Sequence, residues 1–376
     1  MRVLHTIGLA LTLTSPLAMA QLAPEQISVE IMPEPGGNWF ISKSGSSARI
    51  FNAESGEMMG QLSLSDWTPA LTHFQPRREF YAAESYFARG AHGERTDMVT
   101  IYDYDNLSPI GEVIIPNHMA RIGMRGHLAL TNNGRHLIVH NINPGHSVSI
   151  VDVQDRLYVY EILTPGCAIN MAVGDNGFMQ LCGDGTLQLI ELDLSGFELN
   201  RVRSEAFFSV KDDAVFDRVA RTAEGWLLVS HGGTLFEVSV SGSEINVGDG
   251  WMIPGIGDEF EAGDNGTEVR WRPGGRSEFV SVHQATGLLY IAMHEGGLDT
   301  HHDRGTEIWV VDLNTRRLLQ RLEMDEPVGT LIVTQEANAK LIVGSYGELG
   351  TLVYDAFTLK LIRSIDAPGA QMFEDF

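Results

Sequence analysis

The densest group of side chains able to hold a metal or move a proton is His294-Glu-Gly-Gly-Leu-Asp-Thr-His-His-Asp303. His294, Glu295, His301, His302 and Asp303 are reasonable metal-ligand types, and a metal-dependent hydrolase would draw on them. Against that, the spacing matches no known cage, and adjacent histidines on a strand would point to opposite faces. A structural or interface loop is the competing reading. Other chemistries leave no mark: there is no G-x-S-x-G elbow, H-E-x-x-H, Walker A loop, C-x-x-C-H haem attachment or dinucleotide fingerprint. No catalytic constellation is legible, and no metal site is assigned.

The two cysteines, Cys167 and Cys182, flank two apolar runs joined by Gly174-Asp175-Asn176-Gly177, which is a β-hairpin pattern. A turn centred on Gly174-Asp175 sets the cysteines opposite each other, close enough for a disulfide. A catalytic thiol pair is the rival, but no C-x-x-C is present, so a structural bridge is favoured. Trp67 stands in a polar connection, Leu64-Ser-Asp-Trp-Thr-Pro69, as either a half-buried anchor or the lining of a binding site. Tyr86-Phe-Ala-Arg-Gly-Ala-His-Gly-Glu-Arg-Thr-Asp97 reads as a solvated loop between strands, with Arg95 and Asp97 pairing locally, or as a rim that grips another protein.

These residues sit among repeats. A short apolar strand ending near Asp, a polar turn and a second apolar strand recur around Asn52, Asp103, Asp152, Asp193, Ser239, Asp312 and Asp355. The copies lie about 40–50 residues apart, with one step of about 73, which is the period of a four-stranded blade. A second strand–turn–strand element, at 128–139, 280–291 and 331–343, supplies the inner half of a blade. No sustained 3.6-residue apolar stripe occurs, so helix should be scarce. Two β-sandwiches would use the same hairpins. Near-even spacing without a Pro/Ser-rich linker favours one all-β domain, a seven-bladed β-propeller over 21–376, whose closure removes sheet edges. The long step holds an insertion at about 248–276, read as a contact surface or a disordered segment.

The first 20 residues read as a secretory signal peptide: Arg2, an apolar run from Val3 to Leu13, and Ala18-Met19-Ala20 as the cleavage site. No later run is long and apolar enough to span a bilayer. The protein is expected to be exported, hence periplasmic in a Gram-negative source, and not membrane-bound. Its 49 acidic against 26 basic residues argue against nucleic acid as a partner.

Arg89-Gly-Ala-His-Gly-Glu-Arg-Thr-Asp97, Pro165-Gly-Cys-Ala168 with Leu181-Cys-Gly-Asp-Gly185, Trp271-Arg-Pro-Gly-Gly275, and Met293-His-Glu-Gly-Gly297 running through Thr300-His-His-Asp303 to Glu307-Ile-Trp-Val310 occur in one order along the chain. That ordered set resembles the large (heavy, or α) subunit of the quinoprotein amine dehydrogenases, the methylamine and aromatic amine dehydrogenases. Phe207-Phe-Ser-Val-Lys-Asp-Asp-Ala-Val-Phe216 is similar to the aromatic amine version. The resemblance implies a periplasmic α2β2 enzyme that oxidatively deaminates primary amines. Its small β subunit carries the catalytic groups and the cofactor, tryptophan tryptophylquinone, made from two of that subunit's own tryptophans. Electrons pass to a blue copper protein, amicyanin or azurin. The large subunit would be a non-catalytic scaffold that carries no cofactor, with Cys167–Cys182 as the family's disulfide. Trp67 would stand at the mouth of the substrate channel, where the family usually has phenylalanine. A stand-alone periplasmic propeller acting as a binding or assembly module is the alternative.

Overall fold

The computed structural model describes residues 31–257, 261–262, 268–297, 299–367 and 372–376. The proposed signal peptide and parts of the insertion lie outside these residues. From Met32 onward the described chain is nearly all strand, with only two three-residue 3-10 turns, at Gln75–Arg77 and Arg125–His127. No helix among the described residues is long and apolar enough to cross a membrane.

Seven antiparallel sheets form a seven-bladed β-propeller. Blade 1 runs Trp67–Phe74, Glu79–Arg89, His92–Asp103, Pro109–Ile115. Blade 3 runs Cys167–Val173, Gly177–Cys182, Leu187–Leu192, Glu198–Arg203, blade 4 Ala220–Arg221, Gly225–Val229, Thr234–Ser241, Glu244–Val247, and blade 6 Val328–Val333, Lys340–Ser345, Thr351–Asp355, Leu361–Ile365. Blades 2 and 5 have divided inner strands. In blade 2, His118–Met119 and Leu128–Leu130 both pair with His136–Asn143, followed by Ser147–Asp152 and Leu157–Leu163. In blade 5, Glu268–Pro273 and Val280–His283 both pair with Leu288–Gly296, followed by Glu307–Asp312 and Arg317–Glu323.

Blade 7 closes the ring. Its outer three strands, Trp39–Ser44, Ser47–Asn52 and Met58–Ser63, come from the start of the domain, and its inner strand, Met372–Asp375, comes from the end. Phe40 pairs with Asp375 and Lys43 with Met372. The buried apolar clusters fall between neighbouring blades: 7 with 1, 1 with 2, 2 with 3, 3 with 4, 4 through 6, and 6 with 7. That unbroken circuit rules out the two-sandwich alternative.

The repeated Asp is explained by the turn it caps. Asn52, Asp103, Asp152, Asp193, Asp312 and Asp355 each end a third strand, and each side-chain oxygen accepts a backbone N–H two residues on, at 2.8–3.2 Å. Four residues past the cap, Leu107, Arg156, Arg316 and Leu359 take left-handed backbone (φ 54–55°), and the pairing shifts register beside each turn. This is an Asx-capped turn with a bulge. Blade 4, which has Ser239 at the equivalent place, makes a tighter turn at Gly242.

Turns alternate ends in an antiparallel meander. The turns joining strands one to two and three to four therefore share one rim, the lower. The turns joining strands two to three, and the connections between blades, share the upper rim. Inside the ring, Arg125 grips Glu374 with two contacts of 2.9 Å and lies 3.8 Å from Asp375. Below this pair a cavity of about 340 Å3 runs to the lower turns. Burial in the channel raises the Glu374 carboxyl to about 7, against the pull of Arg125.

Phe373 in the closing strand is fully buried and packs edge-on against Phe40 at 5.5 Å. Phe373→Ala is expected to lower stability by about 3–5 kcal/mol in urea unfolding. A loss below about 1 kcal/mol would show that closure does not depend on this strand.

Candidate functional site

The upper rim gathers what the sequence singled out. Trp67 begins the inner strand of blade 1 there, half-buried. The Tyr86–Asp97 segment is not a loop but the tip of blade 1's long central hairpin, with only Gly90-Ala91 as its turn. Strand pairing continues beyond Ser85 to Arg89 and His92, past the body of the blade. Arg95 and Asp97 do pair, at 2.7 Å, and Arg95 also donates to the Met119 carbonyl at 2.7 Å. Cys167 and Cys182 are opposed in register and form a disulfide at the upper end of blade 3.

Trp67 is held from behind by a buried carboxylate that sequence reading missed. Glu84 has no exposed surface. Its Oε1 accepts the Ser65 backbone N–H at 2.6 Å, and its Oε2 lies 3.1 Å from the hydroxyls of Tyr86 and Tyr102. Ser65 Oγ donates to the Ser85 carbonyl and accepts the Trp67 N–H at 3.2 Å. Buried Lys43, on blade 7, supplies the opposite charge, although burial lowers its own pKa to about 8. Burial and the neighbouring carboxylate push Tyr86 up to about 12. The available signal was a lone acid inside the apolar run Phe80-Tyr-Ala-Ala-Glu84.

In front, the Trp67 ring meets Phe87 edge to face at 6.2 Å. Arg121, from the segment that divides the inner strand of blade 2, lies 4.8 Å over Trp67 and 5.2 Å over Phe87.

The His294–Asp303 segment forms the upper turn of blade 5. His294 is buried, with Nε2 2.9 Å from Thr300 Oγ1. The Gly-Gly of Trp271–Gly275 is sterically required, since a Cβ on Gly274 would lie 2.6 Å from the His294 ring and 2.8 Å from the Asp303 carbonyl. His301 and His302 lie in a turn, not a strand, so the expected opposition of their side chains does not hold: the rings are 4.0 Å apart. His301 stacks on His231 of blade 4 at 4.2 Å, beside the Phe216–Phe279 pair. Among the described residues no group of three or more His, Cys, Asp or Glu is placed to hold a metal ion. The segment's visible work is packing blade 4 against blade 5.

Between these regions the rim mixes exposed apolar and charged side chains, Arg89, Glu94, Lys211, Asp212 and Glu348 among the latter. Tyr86, Ile122, Ile142, Val210, Tyr346 and Leu349 are exposed on the upper side, and Met58, Ile110, Leu157, Leu194, Phe197 and Leu361 are exposed at or beside the lower turns. The described parts of the insertion are built in rather than loose. Trp251–Met252 adds to blade 4, and Ile253 and Ile256 enter the core.

A second buried feature is a file of histidines in blade 2. His127 stacks on His140 at 5.2 Å, and His140 Nε2 lies 3.3 Å from His146 Nδ1. Burial holds His127 down to about 4 and His140 to about 3, from an ordinary 6.5. Below pH 6.5 the unfolded chain takes up protons that the fold refuses, so stability is complete above 6.5 and declines as pH falls toward 3. The urea midpoint is expected to drop between pH 6.5 and 4, and His140→Gln to flatten that slope. An equal slope in the variant would contradict the assignment.

Comparison with known proteins accords with this geometry. The family model "Methylamine dehydrogenase heavy chain (MADH)" matches residues 42–372. The methylamine dehydrogenase heavy chain of Methylophilus methylotrophus is 23% identical over 381 residues, covering 96% of this chain and 91% of that one. The heavy chain of Methylobacillus flagellatus is 24% identical, covering 77% and 71% respectively. Two solved structures share the fold alone. A functionally unknown protein from Desulfotomaculum acetoxidans superposes with TM-score 0.60 at 10% identity, covering 90% of this chain and 98% of that one. The dihydro-heme d1 dehydrogenase NirN gives 0.58 at 17%, covering 93% and 77%. The match spans all seven blades, and this chain belongs to the methylamine dehydrogenase heavy chain family.

Proposed function

We propose that this chain is the non-catalytic large subunit of a periplasmic amine dehydrogenase, and that its upper rim seats a small subunit carrying tryptophan tryptophylquinone. That subunit would oxidise primary amines, with Trp67 at the substrate entrance and a blue copper protein taking the electrons. The observation that carries the reading is the coincidence, on one rim, of the resembling segments with the exposed side chains Ile122, Ile142, Val210 and Tyr346. Exposed apolar side chains beside the resembling segments are available to a partner seated on this rim. A heavy-chain family member is the partner of a smaller chain by the sense of its name.

In this reading the paired tryptophans of this chain, Trp271 and Trp309, have a structural role. In the Trp271–Trp309 pair, with ring centroids 5.3 Å apart, Trp309 is fully buried and its Nε1–H is donated to Glu307 at 2.7 Å. Arg321 covers both rings and pairs with Glu307. Trp309 is committed to the packing of blade 5, and Arg321 lies over the half-buried Trp271. The quinone is placed on the small subunit, and this chain supplies position, exclusion of water and the entrance.

Expressed alone, the chain should give no amine-dependent dye reduction. Co-expressed with its small subunit it should co-purify and reduce the dye. Full activity from the chain alone would refute the proposal. Ile142→Asp with Val210→Asp should weaken small-subunit binding at least about tenfold. The urea midpoint of the isolated chain should change little, because both side chains are exposed.

A further inference from the structure

The aromatic pair at the entrance is already occupied by a charge. Trp67 and Phe87 make an edge-to-face corner, the kind of electron-rich surface that attracts an ammonium ion. Arg121 lies against both rings, at 4.8 and 5.2 Å. It is exposed, and among the described residues no carboxylate stands within ion-pair distance of it. Its neighbours do not neutralise it by contact. Asp97 is taken by Arg95, Glu84 is buried behind Trp67, and Asp66 is exposed to solvent. The corner cannot easily withdraw, because Trp67 is pinned through Ser65 to Glu84.

We propose that Arg121 is a specificity-determining residue, a guanidinium that fills the cation-attracting face of Trp67 and Phe87 and so selects against small, fully charged amines. This rests on the reading of Trp67 as the entrance to an amine site. A methylammonium ion has little to offer except its charge, so it meets repulsion where the bare aromatic corner would attract it. An arylalkylammonium ion brings an apolar ring that can lie against the exposed edge of the corner, with its charge held farther from Arg121. The discrimination acts on capture rather than on bond breaking, and falls on KM.

The test uses the complex with the small subunit, in the wild type and in Arg121→Gln, Arg121→Lys and Trp67→Ala, with methylamine and 2-phenylethylamine as substrates. Arg121→Gln should lower KM for methylamine about three- to tenfold while changing KM for 2-phenylethylamine less than twofold. In the wild type and in Arg121→Lys, kcat/KM for methylamine should rise with added salt as the repulsion is screened, and in Arg121→Gln it should be flat. Equal shifts for both substrates, a lysine variant that behaves like the glutamine one, or loss of assembly in Arg121→Gln would overturn the proposal. Trp67→Ala separates the two levels. If it leaves the ratio of the two substrates unchanged, the entrance reading falls and the proposal with it. If it alters that ratio while Arg121→Gln does not, only the role given to Arg121 is wrong.

Discussion

A ring of sheets is stable only if its last blade meets its first. Here that meeting rests on four residues, Met372–Asp375, hydrogen-bonded to Trp39–Ser44. Each blade alone would expose two apolar faces, and each is covered by the neighbours on either side. Without closure, blades 7 and 1 would lose the strand that ties them to blade 6, along with the packing of Phe373 against Phe40. The channel reinforces the seam. Glu374 on the closing strand takes Arg125 from the divided inner strand of blade 2, so one ion pair reaches across the interior. The pair lines the central cavity, and burial of Glu374 opposes its charge while Arg125 favours it, so removing Arg125 would leave a buried carboxyl without its partner.

Closure makes the disk rigid and pushes variation to its rims. On the lower rim the turns joining strands three to four are short and, in six of the seven blades, Asx-capped, while those joining strands one to two differ from blade to blade. The upper rim has long connections at 116–127 and 204–219, a long hairpin in blade 1 and the 297–306 turn. These connections bring distant residues together: Arg121 onto Trp67, and His301 onto His231. Glu84 shows how a flexible connection is fixed. A fully buried carboxylate needs several donors, and the ones it finds lie in the connection carrying Trp67 and on the tyrosines beside it. Satisfying one charge sets the place of a surface ring.

The architecture was legible because its signals are local. Asp at the ends of third strands, apolar runs of strand length and a period near that of a blade all survive in one dimension. So does the cysteine pair, because its hairpin is contiguous. The site was less legible because its contacts are not. Arg121 and Trp67 are separated by a whole blade, Lys43 and Glu84 belong to different blades, and nothing in either neighbourhood announces the pairing. The blade 1 hairpin was misread as a loop because its exposed tip, Ala88 to Glu94, is charged and glycine-containing and carries no apolar alternation to mark its strands. His301-His302 was read on strand geometry and proved to be in a turn, where adjacent side chains are free to converge.

In the proposed assembly the upper rim, and not the lower, receives the small subunit. Hydrogen–deuterium exchange of the chain with and without its co-expressed small subunit addresses this directly. Slowed exchange is expected in the blade 1 hairpin and in 116–125, 204–217 and 299–306, with the Asx-capped turns of the lower rim unchanged. Protection confined to those lower turns, or spread evenly around the outer strands, would contradict it.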